Sequence, residues 1–210
     1  SASSGDTLNL SGTFTWTDAD ETGDAVTEGY TLNIAELYIR GQSATTTIIQ
    51  AGTASTTGDR RVFTVGGTAS TTIQDLTIQN GRLTASSGEG GGILNHGTTT
   101  VERVHVRENY VQYSTSGQGG GISNKGTLTV RDSAILYNHA IAQGGGISSS
   151  YTGTQSTRPT SVTIVNTTIA FNTQTSSSAT VGGSGIFARE GTVYVLNSTV
   201  VENNHLSSNN

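Results

Sequence analysis

The densest set of oxygen ligands in the chain is Asp18, Asp20, Glu21 and Asp24, which with Gly23 between them could fold round a calcium ion. The grouping lacks the bidentate acid at the twelfth place of an EF-hand loop, so an acidic solvated loop is the simpler expectation. No other cofactor is suggested. Beyond residue 60 the acids are Asp75, Glu89, Glu102, Glu108, Asp132, Glu190 and Glu202. A polysaccharide lyase or hydrolase would need such groups gathered in one groove. The histidines His96, His105, His139 and His205 are not spaced as a metal cluster, and each falls at a polar or turn position where a surface histidine is expected. Tyr110 and Tyr113 on one expected loop and Tyr151 on another offer amphipathic rings to a sugar or a protein. Asn9-Leu10-Ser11, Asn166-Thr167-Thr168 and Asn197-Ser198-Thr199 match the glycosylation sequon, as some tripeptides must in a chain rich in Asn and Thr.

The elements that would carry these groups follow from composition. The chain has 210 residues, 28 of them Gly, one Pro and no Cys, with 32% hydrophobic and 12% charged residues and a net charge of −5. A thick globular core would be hard to fill, whereas a thin core running along a solenoid needs little apolar volume per residue. Disordered chains usually carry more charge and fewer β-branched strands. The basic residues are scattered singly, with no positive stripe for a phosphate backbone, so nucleic acid is not an expected partner. No segment approaches the ~20 apolar residues of a membrane-spanning helix. The opening Ser1-Ala2-Ser3-Ser4-Gly5 reads as a processed start, and export after loss of a targeting segment is expected.

The block Gly-Gly-Gly-Ile recurs at 90–93, 119–122 and 144–147 and loosens to Gly-Gly-Ser-Gly-Ile at 182–186. Behind each copy runs a second pattern of alternating apolar residues ending in Asn. It is carried by Thr99/Val101/Val104/Val106/Asn109, Leu128/Val130/Ser133/Ile135/Asn138, Val162/Ile164/Thr167/Ile169/Asn172 and Val193/Val195/Ser198/Val200/Asn203. Upstream, Thr71/Ile73/Leu76/Ile78 fits with Asn80 one place early, and Leu32/Ile34/Leu37/Ile39 fits with Gln42 in the Asn place. Period two inside each half predicts strands, and the spacing of three between halves predicts a bend that keeps the next apolar residue pointing inward. Copies roughly 30 residues apart suit a coil of stacked parallel rungs with loops of varying length. The sequence therefore predicts an all-β parallel β-helix, a solenoid of about seven rungs with variable outward loops. It forms one domain over 1–210: a ragged N-terminal rung (Leu8, Leu10, Phe14, Trp16) and acidic loop over 1–30, repeat rungs over 31–205 and a polar tail over 206–210.

Glycine and asparagine are expected at the corners. Gly91, Gly120 and Gly145 would allow close approach and positive φ, and Asn109, Asn138, Asn172 and Asn203 would tolerate the left-handed region and form an amide ladder. By repeat position Glu102 stacks with Arg131 and Arg103 with Asp132, which reads as solvated ion pairs rather than catalysis. Tyr137 and Phe171 share one position and are expected to stack. Threonine runs such as Thr45–Thr47 and Thr98–Thr100 raise the idea of ice binding. The threonines do not recur at one template position through all rungs, and β-propensity is the preferred explanation.

The pairing of Gly-Gly-Gly-Ile with Val106 to Asn109, Ile135 to Asn138, Ile169 to Asn172 and Val200 to Asn203 resembles the repeats of bacterial polymorphic outer-membrane and related surface β-helix proteins. The order Gly12-Thr13-Phe14-Thr15, the acidic run 18–24, Leu32-Asn33-Ile34, Leu37 to Gly41, Thr46 to Ile49 and Arg61-Val62-Phe63 is similar to secreted bacterial surface proteins of the choice-of-anchor type. Neither the Cys-Ser-Leu-Arg-Glu-Ala segment that often opens such proteins nor a C-terminal anchor lies between Ser1 and Asn210. The resemblance implies a right-handed parallel β-helix, export and a place at the cell surface; its motifs are structural and specify no activity.

Neither end carries an obvious cap, so Leu8 and Leu10 at one end and Val200 and Val201 at the other are the candidate self-association residues. The expected function is a non-catalytic extracellular structural or adhesive surface protein. Its partner would be a second copy stacked head to tail, or surface glycans or proteins. The alternative is a carbohydrate-binding or carbohydrate-active β-helix.

Overall fold

The structure, a computed structural model, describes residues 2–16, 29–84, 88–112, 117–150, 160–176, 182–189 and 191–206. Every regular element among them is a strand, and all pair in parallel into four sheets that the chain visits in turn. One circuit runs through Thr98–Glu102, His105–Arg107, Tyr110–Val111 and Ile122–Asn124 before the next begins at Thr127–Arg131. The first and second sheets are each seven strands deep. This is the parallel β-solenoid the repeats predict.

Alternation along each strand puts one set of side chains inside, and parallel register stacks them by type. Leu8, Ile39, Ile73, Val101, Val130, Ile164 and Val195 form one inward column. Phe14, Ile49, Ile78, Val106, Ile135, Ile169 and Val200 form the second. Phe63, Ile93, Ile122, Ile147 and Ile186 face them from the fourth sheet. Buried members of these columns join in one continuous apolar core.

The bends between strands are made by left-handed residues in columns. After the first sheet they are Asp75, Arg103, Asp132, Asn166 and Asn197, and after the second Asn80, Glu108, Tyr137, Phe171 and Glu202, all with φ between 47° and 58°. A third column is Gly90, Gly119, Gly144 and Gly183. The remaining glycines of each run serve close approach, since a methyl on Gly120 would overlap the carbonyl oxygens of His139 and Gly145. Gly91 and Gly145 face backbone carbonyls in the same way.

Asn109, Asn138, Asn172 and Asn203 do form a ladder, but they are not the left-handed residues; those immediately before them are. The ladder asparagines point inward. Asn138 Nδ2 donates to Asn172 Oδ1 (3.0 Å) and to Val106 O (2.9 Å), and its backbone N–H also donates to Asn172 Oδ1 (3.0 Å). Asn138 Oδ1 in turn accepts from both the N–H (3.1 Å) and Nδ2 (3.0 Å) of Asn109. Asn172 repeats the pattern onto Asn203. Asn80 sits one place early because it occupies the left-handed position, leaving Gly81 in the ladder position, where its N–H donates to Asn109 Oδ1 (2.9 Å). A second ladder, which the sequence reading did not find, joins Asn95 Nδ2 to Asn124 Oδ1 (2.7 Å) and Asn124 Nδ2 to Ser149 Oγ (3.1 Å) at the corner before the first sheet.

The structure corrects the register of the first repeats. Leu32 ends a fourth-sheet strand, Tyr30–Leu32, opposite Val65, and Leu37 and Ile39 are the first-sheet pair. Ile49, beyond an inserted turn at 41–46, fills the second-sheet place, so Gln42 is not an Asn equivalent. The N-terminal rung is more regular than expected, with Asp6–Asn9 and Gly12–Thr15 each paired over four residues to the rung behind.

Truncating Asn138 would leave two donors of Asn109 and Val106 O without the partners it supplies, at ~1–3 kcal/mol for each buried orphan, while Asn172 Oδ1 keeps the backbone N–H of residue 138. Asn138→Ala is therefore expected to cost about 4 kcal/mol in urea unfolding. Glu108→Gly should raise stability by about 0.5 kcal/mol, because relief of the left-handed penalty exceeds the added chain entropy.

Candidate functional site

Among the described residues, the two end rungs, a column of charges and columns of rings are candidates to act on something outside the chain. Along the inward columns every rung covers its neighbour, and the described end rungs have a neighbour on one side alone. At the C-terminal end Val195 is 45% exposed and Val200 49%, although their column mates Ile164 and Ile169 are fully buried. Val193 and Ile186 are half-buried beside them. Val201, expected to be part of this apolar face, pairs with Ala170 at the outward position of its strand; Val193, Val195 and Ile186, members of the repeat pattern but not among the expected self-association residues, join Val200 on it.

At the other end Leu8 is 39% and Tyr30 54% exposed. With Leu10, Phe14 and Trp16 they open onto an apolar cleft of about 240 Å³ floored by Leu32, Ile39, Ile49 and Phe63. Trp16 stacks on Tyr30 at 5.8 Å and meets Phe63 edge-on at 6.3 Å. Its buried Nε1–H has no partner among the described residues.

The charges are paired across rungs. Glu102 stacks on Arg131 as the repeat predicts, with Arg131 Nη2 2.5 Å from its carboxylate, and Arg103 closes on the other oxygen. Arg103 does not pair with Asp132. It reaches back to Asp75, Nε to Oδ1 at 2.6 Å and Nη2 to Oδ2 at 3.0 Å, and Asp132 accepts instead from Asn166 Nδ2 at 2.6 Å. These residues share one left-handed column, so Arg103 stands between two aspartates and takes the upstream one. The hydrogen bonds from Arg103 hold Asp75 below the usual carboxylate range. Glu102, clasped by two guanidiniums, has no free oxygen with which to act as a general acid.

Tyr110 is not on a loop. It lies in the strand Tyr110–Val111, with Arg82 on the rung before and His139 on the rung after. The His139 ring stacks on one face at 4.3 Å, and the Arg82 guanidinium stands over the ring at 5.9 Å. Both rings are half-buried, so neither offers a free platform. Tyr137 and Phe171 stack as expected, 5.0 Å apart and 7° from parallel, turning ring edges rather than faces outward along the column. Beside Arg82 a shallow cleft of about 210 Å³ is lined by Ser55, Thr56, Tyr110 and Gln112, whose Oε1 accepts from Arg82 Nη2 at 3.2 Å.

Tyr113, Tyr151 and the acidic set Asp18, Asp20, Glu21 and Asp24 lie outside the described residues. Among those described, no three His, Asp or Glu side chains gather as metal ligands, and no helix is long and apolar enough to cross a membrane. Comparison with protein families, with curated proteins and with solved structures finds no match for this chain.

His139 is not the surface histidine the sequence suggested. Its Nδ1 is 2.8 Å from Thr173 Oγ1, and burial pushes its pKa down to about 4. The neutral ring is thus favoured in the fold, and the unfolded chain takes up the proton first as pH falls. Stability should decline from about pH 6.5 down to about 4 and then level off. In His139→Gln, urea midpoints measured across that window should show a flatter profile.

Proposed function

We propose that the chain is a non-catalytic structural module of the cell surface whose end rungs stack head to tail, the C-terminal rung of one copy on the N-terminal rung of the next. The observation that carries this is the exposure of inward apolar columns at both described ends: Val195 and Val200 at one, Leu8 and Tyr30 at the other. In a parallel solenoid each rung repeats the last by translation, so its two ends are complementary to each other rather than to themselves. Stacking of this kind does not close and propagates. The aliphatic C-terminal face meets a cleft at the N-terminal end with room for such side chains. Parallel edge strands would pair across the joint as they do within the chain.

The energetics favour a reversible contact. Each newly covered Val or Leu contributes ~1.5–3 kcal/mol, against ~4–15 kcal/mol of lost translational and rotational freedom. Assembly should therefore depend on concentration. The extracellular setting rests on the resemblance of the repeats to secreted surface β-helices. A second reading, glycan binding on the side of the rod, is favoured by the cleft of Ser55, Thr56, Arg82 and Gln112, whose cation has no carboxylate partner among the described residues.

Sedimentation velocity of the intact chain across a concentration series should show a ladder of species growing by one subunit. Val195→Glu combined with Val200→Glu should remove it while leaving the thermal transition of the monomer in place. A single species at all concentrations would reject end stacking.

A further inference from the structure

The outward side of the first sheet carries a regular field of hydroxyls. Ser70, Thr98, Thr127, Ser161 and Thr192 stand in one column on consecutive rungs, paired residue to residue. Two residues along the same strands, Thr72, Thr100, Thr129 and Thr163 make a second column, bounded by Tyr38 at one end and Tyr194 at the other. The threonines that looked unrelated in sequence therefore do share positions over successive rungs. Insertions of different length elsewhere in each circuit hide the coincidence, and the hydrogen-bond register restores it.

Two further observations describe how these residues are placed. All are exposed or half-buried. None of their hydroxyls hydrogen-bonds to another group among the described residues, whereas several on inner or corner positions are engaged, Thr77 with Ala44 O, Thr99 with Asn95 Oδ1, Ser133 with Arg131 O and Thr167 with Val165 O; the buried Thr71 Oγ1 is an exception. The field also carries no charge, and the guanidiniums and carboxylates beside it are occupied with one another. The ladder of Asn95 and Asn124 fixes the corner from which the strands at Thr98 and Thr127 start, so it holds the columns in line.

Neighbouring rungs lie ~4.8 Å apart and alternate residues along a strand ~6.6–6.8 Å apart. A ligand matched to this field must be periodic in two directions at those spacings, uncharged, and both donor and acceptor at each point. The oxygen lattice of hexagonal ice has repeats close to both. A hydroxyl donates once and accepts twice, so it can take the place of a lattice water. The β-branched threonine has few χ1 states, which keeps the positions fixed, and its methyl group orders water at the gaps between hydroxyls. A single polymer chain would touch one row of a flat sheet and leave the other idle. We propose that the outward face of the first sheet, centred on Thr100 and Thr129, binds the surface of ice. This site is on the side of the rod and is independent of stacking at its ends.

The test is inhibition of ice recrystallisation by the intact chain, compared with Thr129→Tyr on the field and Thr168→Tyr on the neighbouring sheet, with thermal unfolding of each. The proposal expects the unaltered chain to keep ice grains small, Thr129→Tyr to require at least tenfold more protein, and Thr168→Tyr to act as the unaltered chain does. If Thr129→Tyr unfolds at a lower temperature, Thr100→Lys, whose flexible side chain suits an outward strand position, should give the same tenfold loss. Folded, unaltered protein that leaves grain growth unchanged overturns the proposal, as does equal activity of the field and control variants.

Discussion

The parallel hydrogen-bond register between rungs is the constraint on which the rest depends. A rung of this chain has too little apolar surface to fold alone, and it acquires a core by lying under one neighbour and over another. Ile73 is buried because Ile39 and Val101 close on it from either side. The same register brings Asn138 between Asn109 and Asn172, and Arg131 onto Glu102. A slip of one residue would turn the apolar columns outward and break both asparagine ladders at once. Left-handed corners keep the slip from occurring, because each bend must fall at a fixed place, and even Glu108, Tyr137 and Phe171 accept the backbone penalty there.

Much of this was legible in the amino-acid sequence. Period-two alternation gives strands, the glycine runs give close contacts, and the asparagines give the ladder. The failures have a common physical origin. Inward pairs look alike on every sheet, so Leu32 and Ile34 imitate a first-sheet pair although Leu32 belongs to the fourth. Only the pairing partner distinguishes them. Asparagine at a corner suggests a left-handed residue, yet here its side chain is worth more turned inward as a ladder, and the preceding residue takes the bend. Tyr110 reads as a loop residue in sequence because a two-residue strand leaves too short a pattern to recognise.

The outward surface divides by chemistry in the same way. The left-handed column after the first sheet collects Asp75, Arg103 and Asp132 into a self-satisfied ionic row. The third sheet collects Arg82, Tyr110 and His139 into a stack that consumes its own ring faces. Among the described residues, the hydroxyl field of the first sheet, the apolar faces of the end rungs and the cleft beside Arg82 stay open. Among the described residues, Asp75, Glu102, Tyr110 and His139, which sequence alone marks as chemically able, are engaged within the fold, and plain residues gain meaning from repetition.

Amide hydrogen exchange of the intact chain in dilute and in concentrated solution tests end stacking most directly, because it reports each rung separately. In dilute solution the amides of Asn109, Asn138 and Asn172 should exchange slowest, and those of residues 193–201 and 6–15 much faster. On concentration, protection should rise at these two end segments and stay unchanged in the middle. End rungs whose exchange is the same at both concentrations, or protection that rises on the sides of the central rungs instead, would contradict it.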